Sequence, residues 1–280
     1  MLLGTNIRNW GPTATPECLT ACARTADRST LDSLWLNDHI GLPPTFDQNP
    51  YGIPPEMATI LDPLGVACFF AAITSRIHFG TGVLILPYRP ALLTAKWLAT
   101  IQTLSDGRFL LGTGVGYLDE EFRALGVLKR ERGKISDATI ALIRSAAASD
   151  VVTVNGESLV LKPRLICPPI YIGGAPATSI PRAVRLGDGW MPVGLSPADL
   201  KPQVQELHRL AAAAGRSRLD VVHMKTLPLG DPPAALAMAE AYVDAGVTHL
   251  VHTQGVRDEV EFAAMVDVLC NKIQPALPRL

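Results

Sequence analysis

A repeated beat constrains this chain more than anything else in it. Short β-branched or apolar runs alternate with longer segments of helical period, and the alternation recurs about eight times in 280 residues. "LLGTNI" (residues 2–7) reads as a strand. It is followed by "PECLTACARTA" (16–26), a helix with Thr15 as cap and Pro16 at its first position. "LDSLWLND" opens a second strand, and "PEMATILDPLGVACFFAAI" (55–73) a helix that Pro63 is expected to split. "IHFGTGVLIL" (77–86), "PALLTAKWLATIQTLS" (90–105) and "RFLLGTGVG" (108–116) continue as strand, helix and strand. After a longer connection, "ISDATIALIRSAAA" (135–148) is helical, and "VVTVNGESLVLK" (151–162) is a hairpin turning at Asn155-Gly156. Four more units follow, with strands at "PIYIGG" (169–174), "GWMPVG" (189–194), "DVVHMKTLPL" and "THLVHT" (248–253), each leading into a helical run.

Strand–helix alternation of this kind builds a parallel sheet. An open doubly wound sheet is the alternative, but eight units without a low-complexity linker favour closure. The expectation is an α/β fold, a (β/α)8 barrel forming one domain over residues 1–280, with the hairpin inserted before the fifth barrel strand. An apolar content of 48% is enough for such a core. A net charge of −1 argues against nucleic acid or an acidic membrane as partner. The longest apolar run, "LGVACFFAAI" (64–73), is too short to span a bilayer. The amino terminus lacks a basic stretch followed by an apolar block, so no signal peptide is expected. Five scattered cysteines fit reduced thiols in a cytoplasm.

In a (β/α)8 barrel the chemistry sits where strands end, on the C-terminal face. The residues expected there are Asn6 on strand one, Asp38-His39 on strand two, Gly82-Val83 on strand three, Gly114 to Tyr117 (with Gly116) on strand four, and Gly173-Gly174 on strand five. Half of this rim is glycine. Small residues filling a tapering barrel explain that; so does a flat ring system lying against main chain. Gly173-Gly174-Ala175 precedes a helix, whose first-turn N–H groups suit a phosphate. No Gly-Lys-Ser/Thr follows, so this is not a Walker loop, and "GTGVGYL" (112–118) matches the dinucleotide fingerprint only loosely. Asp38-His39 admits a loop-and-cap reading and a catalytic one. On a regular strand the two face opposite sides, and His39 is the one expected inward. His249 and His252 stand three apart on a strand, without a third ligand, and no metal is expected. Cys18 and Cys22 share a helix face and most simply pack. "KRERGK" (129–134) is a solvated basic run in which Arg132 is a candidate for an anionic cofactor tail.

The runs "DSLWLNDHI", "RIHFGTGVLILPYRPALLTAKWLATIQTLSDGRFLLGTGVGYLDEEFRALGV", "IYIGG" and "RLGDGW" resemble the bacterial luciferase-like family, densely over residues 31–128 and more thinly over 168–194. That resemblance implies a barrel using coenzyme F420 or a flavin. His39 falls where the family places a histidine beside the reactive ring, and Asp38 precedes it as in many deazaflavin-dependent members. Gly82-Val83 falls on a bulge that often carries a cis peptide behind the ring. Gly173, Gly174 and Ala175 fall where the cofactor phosphate meets backbone amides. Tyr117 stands where members oxidising sugar phosphates carry a glutamate, which argues against that substrate. The chain departs from its relatives in lacking a glycine before the second strand ("RTADRSTLDSLW") and a tryptophan in "LIRSAAASDVV".

The resemblance therefore implies an F420-dependent oxidoreductase moving hydride to or from a small organic substrate. The alternative is a monooxygenase using reduced FMN (FMNH2) from a separate flavin reductase. A non-catalytic flavin-binding protein is a third reading, weakened because His39 and the glycine rim are present. Imidazole exchanges protons near neutral pH, which suits His39 to catalysis, while Asp38 would fix its tautomer or bond the ring edge. A homodimer is implied by resemblance only.

Overall fold

The computed structural model describes residues 1–43 and 58–278. Its strands and helices run β1 (Leu2–Asn6), α1 (Pro16–Arg28), β2 (Ser33–Leu36), α2 (Pro63–Ile73), β3 (His78–Ile85), α3 (Ala91–Ser105), β4 (Phe109–Gly114), α4 (Asp119–Ala124), α5 (Arg132–Ala148), β5 (Val151–Val154), β6 (Glu157–Val160), β7 (Ile170–Gly173), α6 (Pro176–Leu186), β8 (Gly189–Met191), α7 (Pro197–Ala213), β9 (Asp220–Lys225), α8 (Pro232–Asp244), β10 (His249–His252) and α9 (Glu259–Val268). Many helix starts share one local device. Thr15, Asp62, Ser196 and Asp231 each accept a hydrogen bond from the first helical turn, and each is followed by proline.

Eight strands close into a parallel barrel in the order β1-β10-β9-β8-β7-β4-β3-β2. The antiparallel β5–β6 hairpin stands apart, inserted before the fifth barrel strand as the sequence suggests. Its turn residues Asn155 and Gly156 both have positive φ, 52° and 83°, as a two-residue hairpin turn demands.

Alternate strand residues point inward and pack the barrel lumen. Trp35, Leu110, Tyr171, Met191, Val222 and Val251 form this plug, with Val83 and Met224 against it. The opposite faces join the helices in a larger apolar layer that includes Leu3, Leu34, Phe79, Phe109, Ile172 and Val221. The plug makes the lumen a core, not a pore.

One expectation along the chain needs correction. Pro63 does not split a helix but begins one: residues 58–62 are non-helical and Asp62 caps α2, because a proline lacking N–H costs nothing at the first helical position. Residues 55–57 of that expected helix lie outside the described residues. The connection after β4 also contains α4, whose acidic start (Asp119, Glu120, Glu121) suits a helix N-terminus.

Candidate active site

The bulge on β3 shapes the barrel mouth. Between Thr81 and Leu84 the chain advances three residues while its partner β4 advances two, from Leu111 to Thr113. One extra residue is therefore accommodated at Gly82-Val83, whose peptide bond is cis. The neighbouring glycines make this possible. A Cβ on Gly114 would lie 2.5 Å from Cγ2 of Val83, and one on Gly173 would lie 2.9 Å from its Cγ1. A Cβ on Gly82 would strike Met224 and Met191 of the plug. The glycine rim thus clears a seat for Val83 and the bulge. The small-residue packing reading explains these three positions without a ligand.

Above this seat lies a cavity of about 380 Å³. Asn37, Asp38 and His39 border it after β2; Gly82, Val83 and Ile85 after the bulge; Gly114 to Tyr117 after β4; Gly173 and Gly174 after β7; and Val193 after β8. Neither Asn6 nor Ala175 of the expected set borders it. Asn6 is buried and spends its Nδ2 on the Trp35 carbonyl, 2.8 Å, and Asn37 Oδ1, 2.9 Å. Ala175 is exposed at the start of α6, its carbonyl accepting from the Ser179 amide. Arg132 opens α5 and does not border the cavity; it donates to the Lys129 carbonyl.

β2 ends at Leu36, so Asp38 and His39 escape strand alternation and both reach the cavity wall. They do different things. The Asp38 carboxylate is gripped by Arg89 at 2.6 and 2.8 Å and accepts the Ile85 amide at 2.8 Å. Arg89 also reaches Asp62 at 2.7 Å. Burial pushes the Asp38 carboxyl up, while the Arg89 guanidinium and the Ile85 amide pull it back. With both oxygens committed to Arg89 and Ile85, Asp38 does not hold the His39 tautomer, one of the two roles expected of it. It ties the exit of β2 to the exit of β3.

Glu121, which the sequence reading missed, holds His39 instead. His39 Nδ1 lies 3.1 Å from Glu121 Oε2. The same oxygen accepts from the Tyr88 hydroxyl at 2.6 Å, and Oε1 accepts from the amides of Ile40 at 2.6 Å and Gly41 at 3.3 Å. Burial pushes Glu121 up, but the His39, Tyr88 and Ile40 hydrogen bonds outweigh it and hold the carboxyl below its usual range. Tyr88 is pushed well up by burial and by Glu121. Glu121 is thus a buried carboxylate facing only donors. His39 Nδ1 must carry the proton, and Nε2 is the nitrogen left with a lone pair. Tyr117 packs its ring edge-on against His39, centroids 5.6 Å apart. Glu121 lies on α4, four residues after Tyr117. The signal was present in "GYLDEEF", but three consecutive acids gave no hint which one turned inward.

Asn37 was also missed. Its Nδ2 donates to the Gly82 carbonyl at 3.1 Å, bracing the bulge from β2. His249 and His252 point to opposite faces, as their spacing implies. His249 faces Tyr171 in the lumen, and His252 takes the Leu227 amide in the outer layer. Cys18 and Cys22 lie 3.9 Å apart at sulfur on α1, and all five cysteines are free. No described helix is long and apolar enough to cross a membrane.

Comparison with known proteins agrees with this architecture. The chain is 32% identical over 162 residues to an uncharacterized protein of Mycobacterium tuberculosis, a match covering 56% of either chain. The match thus spans little more than half the length of the first curated relatives. It is 26% identical to the F420-dependent glucose-6-phosphate dehydrogenase of Kineococcus radiotolerans over 88% of this chain and 90% of that one. It is 32% identical to the FMNH(2)-dependent dimethylsulfone monooxygenase of Pseudomonas fluorescens over 51% of this chain and 41% of that one. Among solved structures, an F420-dependent secondary alcohol dehydrogenase in complex with an F420-acetone adduct superposes with a TM-score of 0.80 at 16% identity, covering 99% of both chains. The luciferase-like monooxygenase family model matches residues 1–267, and the chain belongs to that family.

Proposed function

We propose that the chain is an F420-dependent oxidoreductase transferring hydride between the deazaflavin and a small organic substrate. The observation that carries this reading is the Glu121–His39 pair at the lip of the cavity, with Nε2 available for proton transfer. The cavity suits the cofactor: about 380 Å³ lies within the range of small-molecule sites, and its walls are mostly apolar side chains and exposed main chain. The ring would rest on Val83 and the Gly82–Val83 backbone. The phosphate would meet the amides around Gly174 and the N-terminus of α6. Bound there, the deazaflavin supplies a ring carbon that accepts or donates hydride.

The protein's own part is positional and electrostatic. Glu121 fixes the imidazole so that Nε2 can take the proton from a substrate hydroxyl or return one to a carbonyl, and it stabilises the imidazolium while the proton is held. Tyr88 and the Ile40 and Gly41 amides keep Glu121 anionic through that cycle. Arg89 and Asp38 fix the backbone from which His39 projects.

The FMNH2-dependent relative supports a second reading, a monooxygenase supplied by a flavin reductase. Titration of purified protein with F420 and with FMN, following cofactor fluorescence, separates the two. Saturable quenching of F420 with weaker FMN quenching is expected. Tight FMN binding without F420 binding reverses the order.

A further inference from the structure

Behind His39 lies a second, smaller cavity of about 100 Å³, bordered by Trp10, Asn37, His39, Leu42 and Ile60. It shares His39 and Asn37 with the larger cavity, so His39 faces both. We propose that this pocket seats the substrate and that it selects neutral, short-chain molecules bearing a single hydroxyl or carbonyl oxygen, excluding anions such as sugar phosphates. The hydride chemistry rests on the function proposed above; the binding preference does not.

The pocket is built before any ligand arrives. The segment after β1 and the segment before α2 are joined by an antiparallel bridge between Trp10 and Ile60. The Gly11 amide donates to the Thr59 carbonyl at 2.8 Å and the Leu61 amide to the Asn9 carbonyl at 2.9 Å. Buried Asn9 cross-links three segments: its Nδ2 donates to the carbonyls of Asn37 at 2.9 Å and Leu61 at 2.6 Å, and its Oδ1 takes the Asn37 amide at 2.9 Å. Trp10 Nε1 reaches Asn37 Oδ1 at 3.3 Å. Among the described residues the wall is this interlinked, and a wall held on that side limits substrate length.

The lining sets the chemistry. Trp10, Leu42 and Ile60 are apolar. Asn37 Oδ1 already takes two donors, and one Nδ2 hydrogen goes to Gly82. The other Nδ2 hydrogen remains to donate to a hydroxyl or carbonyl oxygen, and the His39 Nε2 lone pair remains to accept a hydroxyl hydrogen. Among the described residues, no lysine or arginine lines either cavity. Arg89 is spent on Asp38 and Asp62. Arg8 lies over the Trp10 ring, 4.7 Å from its centroid, with its guanidinium against Gly255 beyond β10. A phosphate or carboxylate entering the pocket would lose water without gaining a counter-charge. A cavity of roughly 150 Å³ holds benzene, so this one takes an alkyl arm of about four carbons.

The test titrates cofactor-free protein with a series from propan-2-ol to octan-2-ol, reading the part of the tryptophan emission that Trp10→Phe removes. Affinity should rise about threefold to fourfold per methylene until the arm reaches about four carbons, then stop rising. Ile60→Ala should move that limit to longer alcohols and Ile60→Phe to shorter ones, with F420 affinity unchanged in both. Lactate and glycerol phosphate should fail to compete. Tighter binding of either anion than of butan-2-ol, or a length limit that ignores both Ile60 variants, overturns the proposal. Loss of F420 binding by the wild-type protein would instead count against the function proposed above, because the alcohol titration needs no cofactor.

Discussion

At the exit of β2, His39 sits half-buried against a carboxylate. In the layer between β9 and α8, His223 is fully buried and stacks on Tyr242, ring centroids 4.6 Å apart. The carbonyls of Pro192 and Leu195 face the His223 ring, yet neither ring nitrogen meets a partner at bonding geometry among the described residues. His252, also fully buried, has only neutral partners, the Leu227 amide and Gln254. Burial, aided by Lys225, pulls His223 down to about 4, and burial pulls His252 to about 4. The contrast teaches how one barrel uses one residue type in two ways. At the mouth, a charged partner makes protonation useful. In the outer layer, protonation would place an unpaired charge in apolar packing.

The largest expected effect comes from unpairing the mouth. Arg89→Met leaves the Asp38 carboxylate buried with only an amide partner and should cost about 3–5 kcal/mol in urea unfolding. A loss below about 1 kcal/mol would mean that Asp38 finds another cation. His39→Ala should spare the melting temperature, because Glu121 keeps three other donors, while turnover falls roughly hundredfold to ten-thousandfold. Unchanged turnover would remove His39 from the chemistry.

Acid should act on the other region. His223 and His252 have folded values below the unfolded value of 6.5, so the unfolded state binds more protons between about pH 6.5 and 4. Stability is therefore full above 6.5 and falls as pH drops, by about 1.4 kcal/mol per pH unit for each histidine. Urea midpoints at pH 7, 6, 5 and 4 measure this, and His223→Phe should flatten the slope. A slope that His223→Phe leaves untouched breaks the comparison.

Glu121→Gln sharpens it. The amide nitrogen cannot accept from Tyr88 or His39, and the imidazolium loses its counter-charge. Turnover should fall roughly tenfold or more with the melting temperature little changed. A turnover that Glu121→Gln leaves unchanged would mark Glu121 as a mere packing residue. The smallest effect belongs to neither region. Gly156→Ala forces a side chain into positive φ at the hairpin tip and should cost about 1 kcal/mol without touching activity.

The legible parts of this molecule were local. Cap-and-proline pairs, the Asn-Gly turn and the eight-fold alternation each depend on residues adjacent in the chain, and adjacency is what a sequence displays. His39, Gly82, Val83, Gly114, Gly116, Gly173 and Gly174 were named as mouth residues because strand ends can be located from such signals. The partners were not legible. Arg89 stands 51 residues from Asp38, and Glu121 stands 82 from His39. Asn6 was placed in the site by its strand position, but its amide turns to the β2 backbone and to Asn37. The glycine rim admits two readings in the sequence, small-residue packing and clearance for a ring, and only the structure shows that the missing Cβ atoms of Gly114 and Gly173 make way for Val83.

By itself, then, the sequence determined the closed alternation of strands and helices, the hairpin insertion and the line of residues at the barrel mouth, since backbone propensity and hydrophobic period act over a few residues. Only the tertiary structure decided that Asp38 pairs with arginine, that Glu121 rather than Asp38 orients the imidazole, and that a small apolar pocket closes behind it. Those outcomes depend on which distant carboxylate or carbonyl lies within about 3 Å of a donor. Barrel closure sets that distance, and spacing along the chain does not record it.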